Sequence, residues 1–281
     1  MTVLEKGSAR LILAPETGGA IAGFTVSGRD VLRPAPAGVL DPLLTSNFPL
    51  VPFCNRVPNG RFVFEGREVA LAPNLPGHPH ALHGQGWRAV WRVARADAAE
   101  ATLVHDHARG DWPWSYRAEQ RFVLGDTGFR VTLTVTNTDE TAMPAGLGLH
   151  PYFPRRTGET LTAANDGVWM VDADVLPTVH HRGVWGPDWA TGAAVEGPDL
   201  IDHCYTGWDQ RAVLSAPGAP DTVITASPEC RWLHVYAPPG DDFVCVEPCA
   251  SRPDPFGAGD TGMIRLAPGE SRSIWMDVST G

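Results

Sequence analysis

The chain has 281 residues, 43% of them hydrophobic, and its 22 Lys and Arg against 32 Asp and Glu give a formal net charge of −10 at pH 7. This acidic balance, with no basic run to interrupt it, excludes nucleic acid as a partner because phosphates would be repelled. No apolar run approaches the ~20 residues that span a bilayer, and no charged segment followed by an apolar stretch opens the chain, so we predict a cytoplasmic protein without a membrane partner.

The first strands are predicted from short β-branched or aromatic runs between turn residues, in a chain that contains 30 glycines and 26 prolines. Residues 9–14 and 20–26 predict a first hairpin, and residues 61–71 predict a hairpin with a two-residue turn. Between them, residues 47–60 contain three prolines and an Asn-Gly pair, which favours a shaped loop over a long strand.

The clearest periodicity lies near the centre of the chain, where apolar and polar side chains alternate from Phe129 to Thr136 as in a half-buried strand. Residues 116–124 are predicted to pair with this strand, whereas residues 154–200, rich in Gly, Asp and Trp, show no pattern from which structure can be assigned. Four later strands are predicted, over residues 223–226, 232–237, 243–246 and 273–278. Because no linker, charge block or repeat divides the chain, residues 1–281 are expected to form one all-β domain, a large antiparallel β-sandwich.

Metal-ligating residues are present but poorly arranged. The five cysteines are scattered and odd in number, which predicts reduced thiols, and no second cysteine pair joins Cys245 and Cys249 in a zinc site. The histidine cluster at residues 78–83 is made irregular by Pro79. We therefore predict no metal site. The remaining paired histidines are expected in solvated loops: His105, His107, His180 and His181.

Candidate functional residues begin with His150, in the segment from Gly146 to Pro154. Two glycines and two leucines precede it, so we expect His150 at a strand end facing a cavity. A histidine among apolar residues is more often a hydrogen-bonded core residue, but other polar motifs accompany this one beside predicted strands and loops. These motifs are Asn55-Arg56, Leu82-His83-Gly84, Asp202-His203 and Val246-Glu247-Pro248.

The two carboxylates in these motifs carry different expectations. Glu247 has Phe243, Val244 and Val246 as neighbours, which indicates a buried position, and a buried carboxylate needs a functional or paired explanation. Asp202 is expected either to bind substrate or to cap a turn.

In this order the motifs resemble the aldose 1-epimerases (mutarotases) of the galactose mutarotase-like superfamily, over residues 11–276. The resemblance implies a β-supersandwich fold and interconversion of the α and β anomers of a free aldose, with no cofactor or metal. It implies that Glu247 is the general base, which takes the proton of the anomeric hydroxyl, and that His150 is the general acid, which protonates the ring oxygen. The residues implied to bind and orient the sugar are Asn55, Arg56, His83 and Asp202.

Those roles set an expected geometry, in which His150 and Glu247 face each other across a gap as wide as one sugar ring. An imidazole titrates near pH 6.5, so the acid needs a neighbouring negative charge, from Glu247 or Asp202, to remain protonated. We also expect a pH–rate profile with a basic limb due to His150.

Three alternatives remain open at the level of the sequence. Arg155-Arg156 would hold a phosphate in a hexose-6-phosphate mutarotase. A non-catalytic carbohydrate-binding protein would keep the pocket without the reaction. A glycosidase would use Glu247 and Asp202 as its two carboxylates.

Overall fold

The computed structural model describes residues 1–281, and strands make up almost all of its regular structure. Its only helices are 3₁₀ turns, none of them long or apolar enough to cross a bilayer. These turns span Pro42–Leu44, Pro58–Gly60, Gly86–Arg88 and Trp189–Thr191.

The N-terminal strands form a four-stranded antiparallel sheet whose order follows the sequence. Its members are β1 (Thr2–Lys6), β2 (Ala9–Ala14), β3 (Ala20–Val26) and β4 (Arg29–Asp30). Three further pairs stand apart from the larger sheets: β6 (Arg56–Val57) with β9 (Ala81–Leu82), β7 (Arg61–Phe64) with β8 (Arg67–Ala70), and β14 (Met143–Ala145) with β26 (Ile264–Leu266). Both hairpins predicted in the first quarter of the chain are confirmed.

A nine-stranded sheet forms one of the two large layers, in the order β10-β11-β12-β13-β27-β23-β22-β17-β20. The long hairpin predicted at the centre of the chain is confirmed, with Leu124 opposite Phe129. The strands are β10 (Arg92–Ala96), β11 (Glu100–His107), β12 (Tyr116–Leu124), β13 (Gly128–Asn137), β17 (Thr160–Ala163), β20 (Ala193–Ala194), β22 (Arg211–Ser215), β23 (Thr222–Ala226) and β27 (Ser271–Thr280).

An eight-stranded sheet forms the second layer, in the order β19-β18-β21-β24-β25-β15-β5, with β16 also paired to β25. All of its pairings are antiparallel, so the predicted all-β antiparallel fold is confirmed. The strands are β5 (Pro49–Leu50), β15 (Gly148–Leu149), β16 (Tyr152–Pro154), β18 (Gly167–Val171), β19 (Pro177–Arg182), β21 (Ile201–Thr206), β24 (Trp232–Ala237) and β25 (Phe243–Cys249).

The two faces of the eight-stranded sheet have different neighbours, because side chains alternate along a strand. Val235 of β24 and Val246 of β25 join the main hydrophobic core, which also takes Leu133 from the nine-stranded sheet. The opposite face carries the polar residues of the same strands, with His234 directly across from Glu247. Alternation therefore turns these two polar side chains away from the sandwich core.

Two expectations about histidines are wrong. His105 and His107 lie in β11, which pairs with β10 and β12, and His180 and His181 lie in β19, paired with β18. Strand formation here depends on backbone pairing with neighbouring strands, which overrides the weak local preference of such polar sequences.

Asp139, just after β13, is a carboxylate with unusually complete hydrogen bonding. It accepts from both Nε and Nη2 of Arg109, at 2.6 Å each, and from the backbone N–H groups of Ser115 and Thr141. The side chain of Asp139 is only 1% exposed. The bond from Arg109 and the backbone donors hold the pKa of Asp139 well below its usual value.

We expect Asp139→Ala to lower the free energy of unfolding by about 3 kcal/mol at neutral pH, because buried backbone donors lose a charged acceptor. Because the pKa of Asp139 is lowered, its contribution to the free energy of unfolding is complete above the ordinary aspartate pKa of about 3.9. The contribution is lost as the pH falls through the pKa that Asp139 has in the folded protein. The matched control is Asp277→Ala, which removes a two-bond pair with Arg130 that lies at the surface and should cost no more than about 1 kcal/mol. If urea titrations gave equal losses in the free energy of unfolding for the two variants, the prediction would be contradicted.

Candidate active site

A cavity of about 490 Å³ opens on the polar face of the eight-stranded sheet, a volume typical of small-molecule sites. The sequence placed six residues in a candidate site, and the structure brings all of them to this cavity. They are Asn55, Arg56, His83, His150, Asp202 and Glu247.

Glu247 and Asp202 reach the cavity from neighbouring parts of the same sheet. Glu247 lies in β25 and is 2% exposed, as its apolar neighbours indicated, and Asp202 lies in β21. The strand β24 runs between them. Because Asp202 sits inside a strand, the turn-capping alternative for this residue is wrong.

His150 follows directly after β15, at a strand end facing the cavity, as predicted. The glycines before it allow close packing: a Cβ on Gly148 would come within 2.7 Å of Cys54 Sγ and 2.9 Å of a Leu50 methyl group. Gly148 pairs with both Leu50 of β5 and Cys249 of β25. The glycine therefore lets β15 fit between two strands and brings His150 beside β25.

The loop that carries Asn55 and the turn that carries His83 fix each other. Both residues have left-handed backbones, with φ of 56° and 58°. The Asn55 N–H donates to His83 Nδ1 at 3.1 Å, and the His83 N–H donates to the Asn55 carbonyl at 2.9 Å. Burial lowers the pKa of His83 well below its usual value. His83 is thus a neutral imidazole whose Nε2 carries the hydrogen and can donate to a ligand.

Arg56, Asp202 and His234 form a chain of contacts along one wall of the cavity. Arg56 Nη2 donates to Asp202 Oδ2 at 3.3 Å, and His234 Nε2 lies 2.7 Å from Asp202 Oδ1. Asn55 Oδ1 accepts from both the backbone N–H and Nη1 of Arg56. Burial alone would raise the pKa of Asp202, but the hydrogen bond from His234 and the charges of His234 and Arg56 lower it to about 2. Asp202 is therefore an ionised group that orients its two partners.

His150 and Glu247 are in direct contact, with 3.3 Å between Nε2 and Oε1. The expected gap of one sugar ring is therefore wrong. Both residues stand on the same wall, because β15 and β25 are paired neighbours. An acid and a base side by side can still serve one carbon, provided that the two reacting oxygens are both bonded to it.

Burial has opposite effects on the pKa values of this pair. It lowers the pKa of His150 to about 3, with a further contribution from the charge of His234. Burial and the charge of Asp202 raise the pKa of Glu247 well above its usual value. Burial thus favours a neutral imidazole beside a protonated carboxyl, which is the reverse of the expectation that adjacent carboxylates keep His150 protonated.

Metal-ligand candidates lie in two places. In the histidine cluster of residues 78–83, the Nδ1 atoms of His80 and His83 already accept backbone N–H bonds. A second group comprises His150, Cys245 and Glu247, whose donor atoms lie within 4.8 Å of one another. Burial raises the pKa of the Cys245 thiol well above its usual value, and a neutral thiol is a weak metal ligand.

Several further residues line the cavity that were not among the candidates from the sequence, above all His234, Arg33 and Tyr152. A signal for His234 existed, because alternation along 232–237 places it opposite Leu233 and Val235, on the face that carries Glu247. Arg33 had no such signal, since it follows a short edge strand far from every motif.

Arg155-Arg156, the candidate phosphate clamp, does not line the cavity. Arg156 instead contacts Glu159 at 3.3 Å and donates to the backbone oxygen of Asp30 at 2.7 Å. The guanidinium of Arg156 therefore has a structural role. Arg155 and Arg156 do not form the phosphate clamp that was considered for a hexose-6-phosphate mutarotase.

Comparisons with known proteins agree with the fold and with the family resemblance. A family model described as aldose 1-epimerase matches residues 1–279. YphB, an uncharacterised protein of Escherichia coli K12, is 33% identical over 98% of this chain and 97% of its own length.

Two solved structures are also similar. A crystal structure from Escherichia coli K12, provisionally named an aldose 1-epimerase, has 30% identity and a TM-score of 0.92, covering 99% of this chain and 98% of its own. A galactose mutarotase-like protein from Clostridium acetobutylicum has 20% identity and a TM-score of 0.89, covering 99% and 94%. The second likeness concerns the fold alone.

Proposed function

The chain belongs to the aldose 1-epimerase family, and we propose that it interconverts the α and β anomers of an aldose by acid–base ring opening. The observation that carries the proposal is the contact between His150 and Glu247, 3.3 Å apart on the wall of a cavity large enough for a monosaccharide. The reacting oxygens O1 and O5 are both bonded to C1, so a side-by-side acid and base can reach them from one edge of the sugar.

In the proposed mechanism Glu247, as a carboxylate, takes the proton of the O1 hydroxyl while His150, as an imidazolium, gives a proton to O5. The C1–O5 bond opens and leaves a carbonyl at C1, a protonated carboxyl and a neutral imidazole. Rotation about C1–C2 presents the other carbonyl face, and closure returns both protons. Each positioned acid or base typically contributes about 10²- to 10⁴-fold in rate.

The neighbouring residues support this charge distribution. Burial favours the neutral pair, so the reactive ion pair needs donors that stabilise the Glu247 carboxylate. Sugar hydroxyls can supply them, held in place by His83 Nε2 and the Arg56 guanidinium. Asp202 fixes Arg56 and His234 through its two oxygens and thereby sets the wall against which the sugar lies.

The proposal is tested by measuring anomer exchange by NMR over galactose, glucose, arabinose, fucose and xylose. Exchange faster than in enzyme-free buffer is expected for at least one sugar. Sugar binding without faster exchange would favour the carbohydrate-binding alternative. Hydrolysis of a nitrophenyl glycoside would instead favour a glycosidase built on Glu247 and Asp202.

The pH dependence is expected to follow the pair rather than an isolated histidine. In its active form the His150–Glu247 pair holds one proton. This proton is lost only as the pH rises through the raised pKa of Glu247. A second proton is added only near the lowered pKa of His150, about 3. The basic limb of the kcat/KM profile should therefore belong to the carboxyl and shift little with temperature, as carboxyl ionisation does. A limb near pH 6.5 that moves strongly on warming would identify a freely titrating imidazole and contradict this assignment.

A further inference from the structure

Arg33 is a cation of the cavity wall that no carboxylate neutralises. It lines the cavity together with the proposed acid and base, and it forms no ion pair. The two acidic residues of the wall are engaged elsewhere. Asp202 contacts Arg56 and His234, and Glu247 contacts the proposed acid. A partly buried charge of this kind is stabilised when a ligand supplies the opposite charge.

The guanidinium of Arg33 is held in a defined position. Its Nη2 donates to the carbonyl oxygens of Leu43 at 2.7 Å and Thr45 at 2.8 Å. Its Cζ lies 3.9 Å from the ring centroid of Tyr152 and 4.6 Å from that of Phe243. These backbone bonds use two of the five N–H donors of a guanidinium. The Nε and Nη1 groups donate to no protein atom and remain free for a ligand.

Tyr152 relates this cation to the reacting centre. Its ring is stacked on that of His150, with centroids 4.8 Å apart and planes at 17°, so Arg33 lies one aromatic ring beyond the proposed acid. An aldopyranose with its ring oxygen at His150 has C5 bonded to that oxygen and carries the exocyclic C6 on C5. A substituent on C6 can therefore extend along Tyr152 toward Arg33.

We propose that the substrate is an aldose with an anionic group on C6, a carboxylate or a phosphate ester, and that Arg33 binds this group. The inference rests on the proposed epimerase function and adds the substrate class. A fixed guanidinium suits either anion, because charge-assisted hydrogen bonds to carboxylate and phosphate are short and strong. The arginine comes from the segment after β4 and not from the Arg155-Arg156 pair.

The test compares glucose, glucuronate and glucose 6-phosphate, and the corresponding galactose series, by kcat/KM for anomer exchange. One of the two anionic sugars should have a kcat/KM about 10- to 100-fold above that of its neutral partner. The anionic sugar with the higher kcat/KM shows whether the site takes a carboxylate or a phosphate. Arg33→Gln should lower this charged-to-neutral ratio by a similar factor, and Arg33→Lys should retain part of it. The matched control is Arg88→Gln: Arg88 also stacks on an aromatic ring, Trp87, and donates to a backbone oxygen, but lies outside the cavity. The control should leave the ratio unchanged.

Titration calorimetry with the same sugars separates the two proposals. Anion-dependent binding that Arg33→Gln weakens, without faster exchange, would refute the epimerase function and keep the anion site. Exchange of neutral aldoses at least as fast as both anionic partners would refute the anion site and keep the epimerase. An equal loss on charged and neutral sugars in a folded Arg33→Gln protein would also overturn the anion site. If neither exchange nor anion-dependent binding is found, both proposals fail.

Discussion

Glu247→Gln is expected to lower kcat for anomer exchange by about 10²- to 10⁴-fold while the protein continues to bind sugar. The amide keeps the shape and the hydrogen-bonding capacity of the side chain, but it cannot take the proton of the anomeric hydroxyl. Because Glu247 is only 2% exposed, no water competes freely for that proton in its place. Saturation kinetics by NMR or polarimetry separate the expected loss in kcat from any smaller change in KM.

The matched control for this variant is Glu159→Gln. Glu159 is also 2% exposed and has a pKa that burial raises, but it contacts Arg156 and lies outside the cavity. It should change stability more than kcat. A Glu247→Gln protein that binds sugar and keeps full exchange activity would overturn the assignment of the base.

His150→Gln is expected to have the second large effect, again a fall in kcat of about 10²- to 10⁴-fold. Glutamine can place an amide nitrogen near the position of Nε2 and donate a hydrogen bond, but it cannot transfer a proton to O5. The loss should appear in kcat with the same sugar that the unmodified protein exchanges fastest.

A double variant of His150 and Glu247 tests whether the two residues act together. If His150 and Glu247 act as one proton-sharing unit across their 3.3 Å contact, the combined substitution should cost little more than either alone. The control His80→Asn changes another buried histidine outside the cavity and keeps an acceptor for the Asn59 N–H. Full additivity of the two site substitutions would show that the residues act independently.

The strands and turns could be predicted from the sequence wherever the local pattern is strong. The alternation from Phe129 to Thr136 and the turn residues around the first hairpins follow from side-chain geometry within a strand, which needs no knowledge of the partner strand. Residues 154–200 gave no such signal, yet they contain β17, β18, β19 and β20. Strands as short or polar as these form because a neighbouring strand supplies their hydrogen bonds.

The same division applies to the candidate site. Short motifs, taken together with the family resemblance, named six of the residues that line the cavity. The alternation along residues 232–237 did indicate His234, which lies opposite Glu247. Arg33 could not be found in this way, because its place beside Tyr152 depends on a contact between distant parts of the chain.

By itself the sequence determined an antiparallel all-β fold and a set of candidate side chains for acid–base chemistry on a sugar. Only the tertiary structure decided that His150 and Glu247 touch, that Asp202 contacts Arg56 and His234, and that burial favours the neutral form of the His150–Glu247 pair. The reason is physical. Alternation and turn formation depend on neighbouring residues, whereas distances between side chains and their desolvation depend on strands that the chain brings together from distant positions in the sequence.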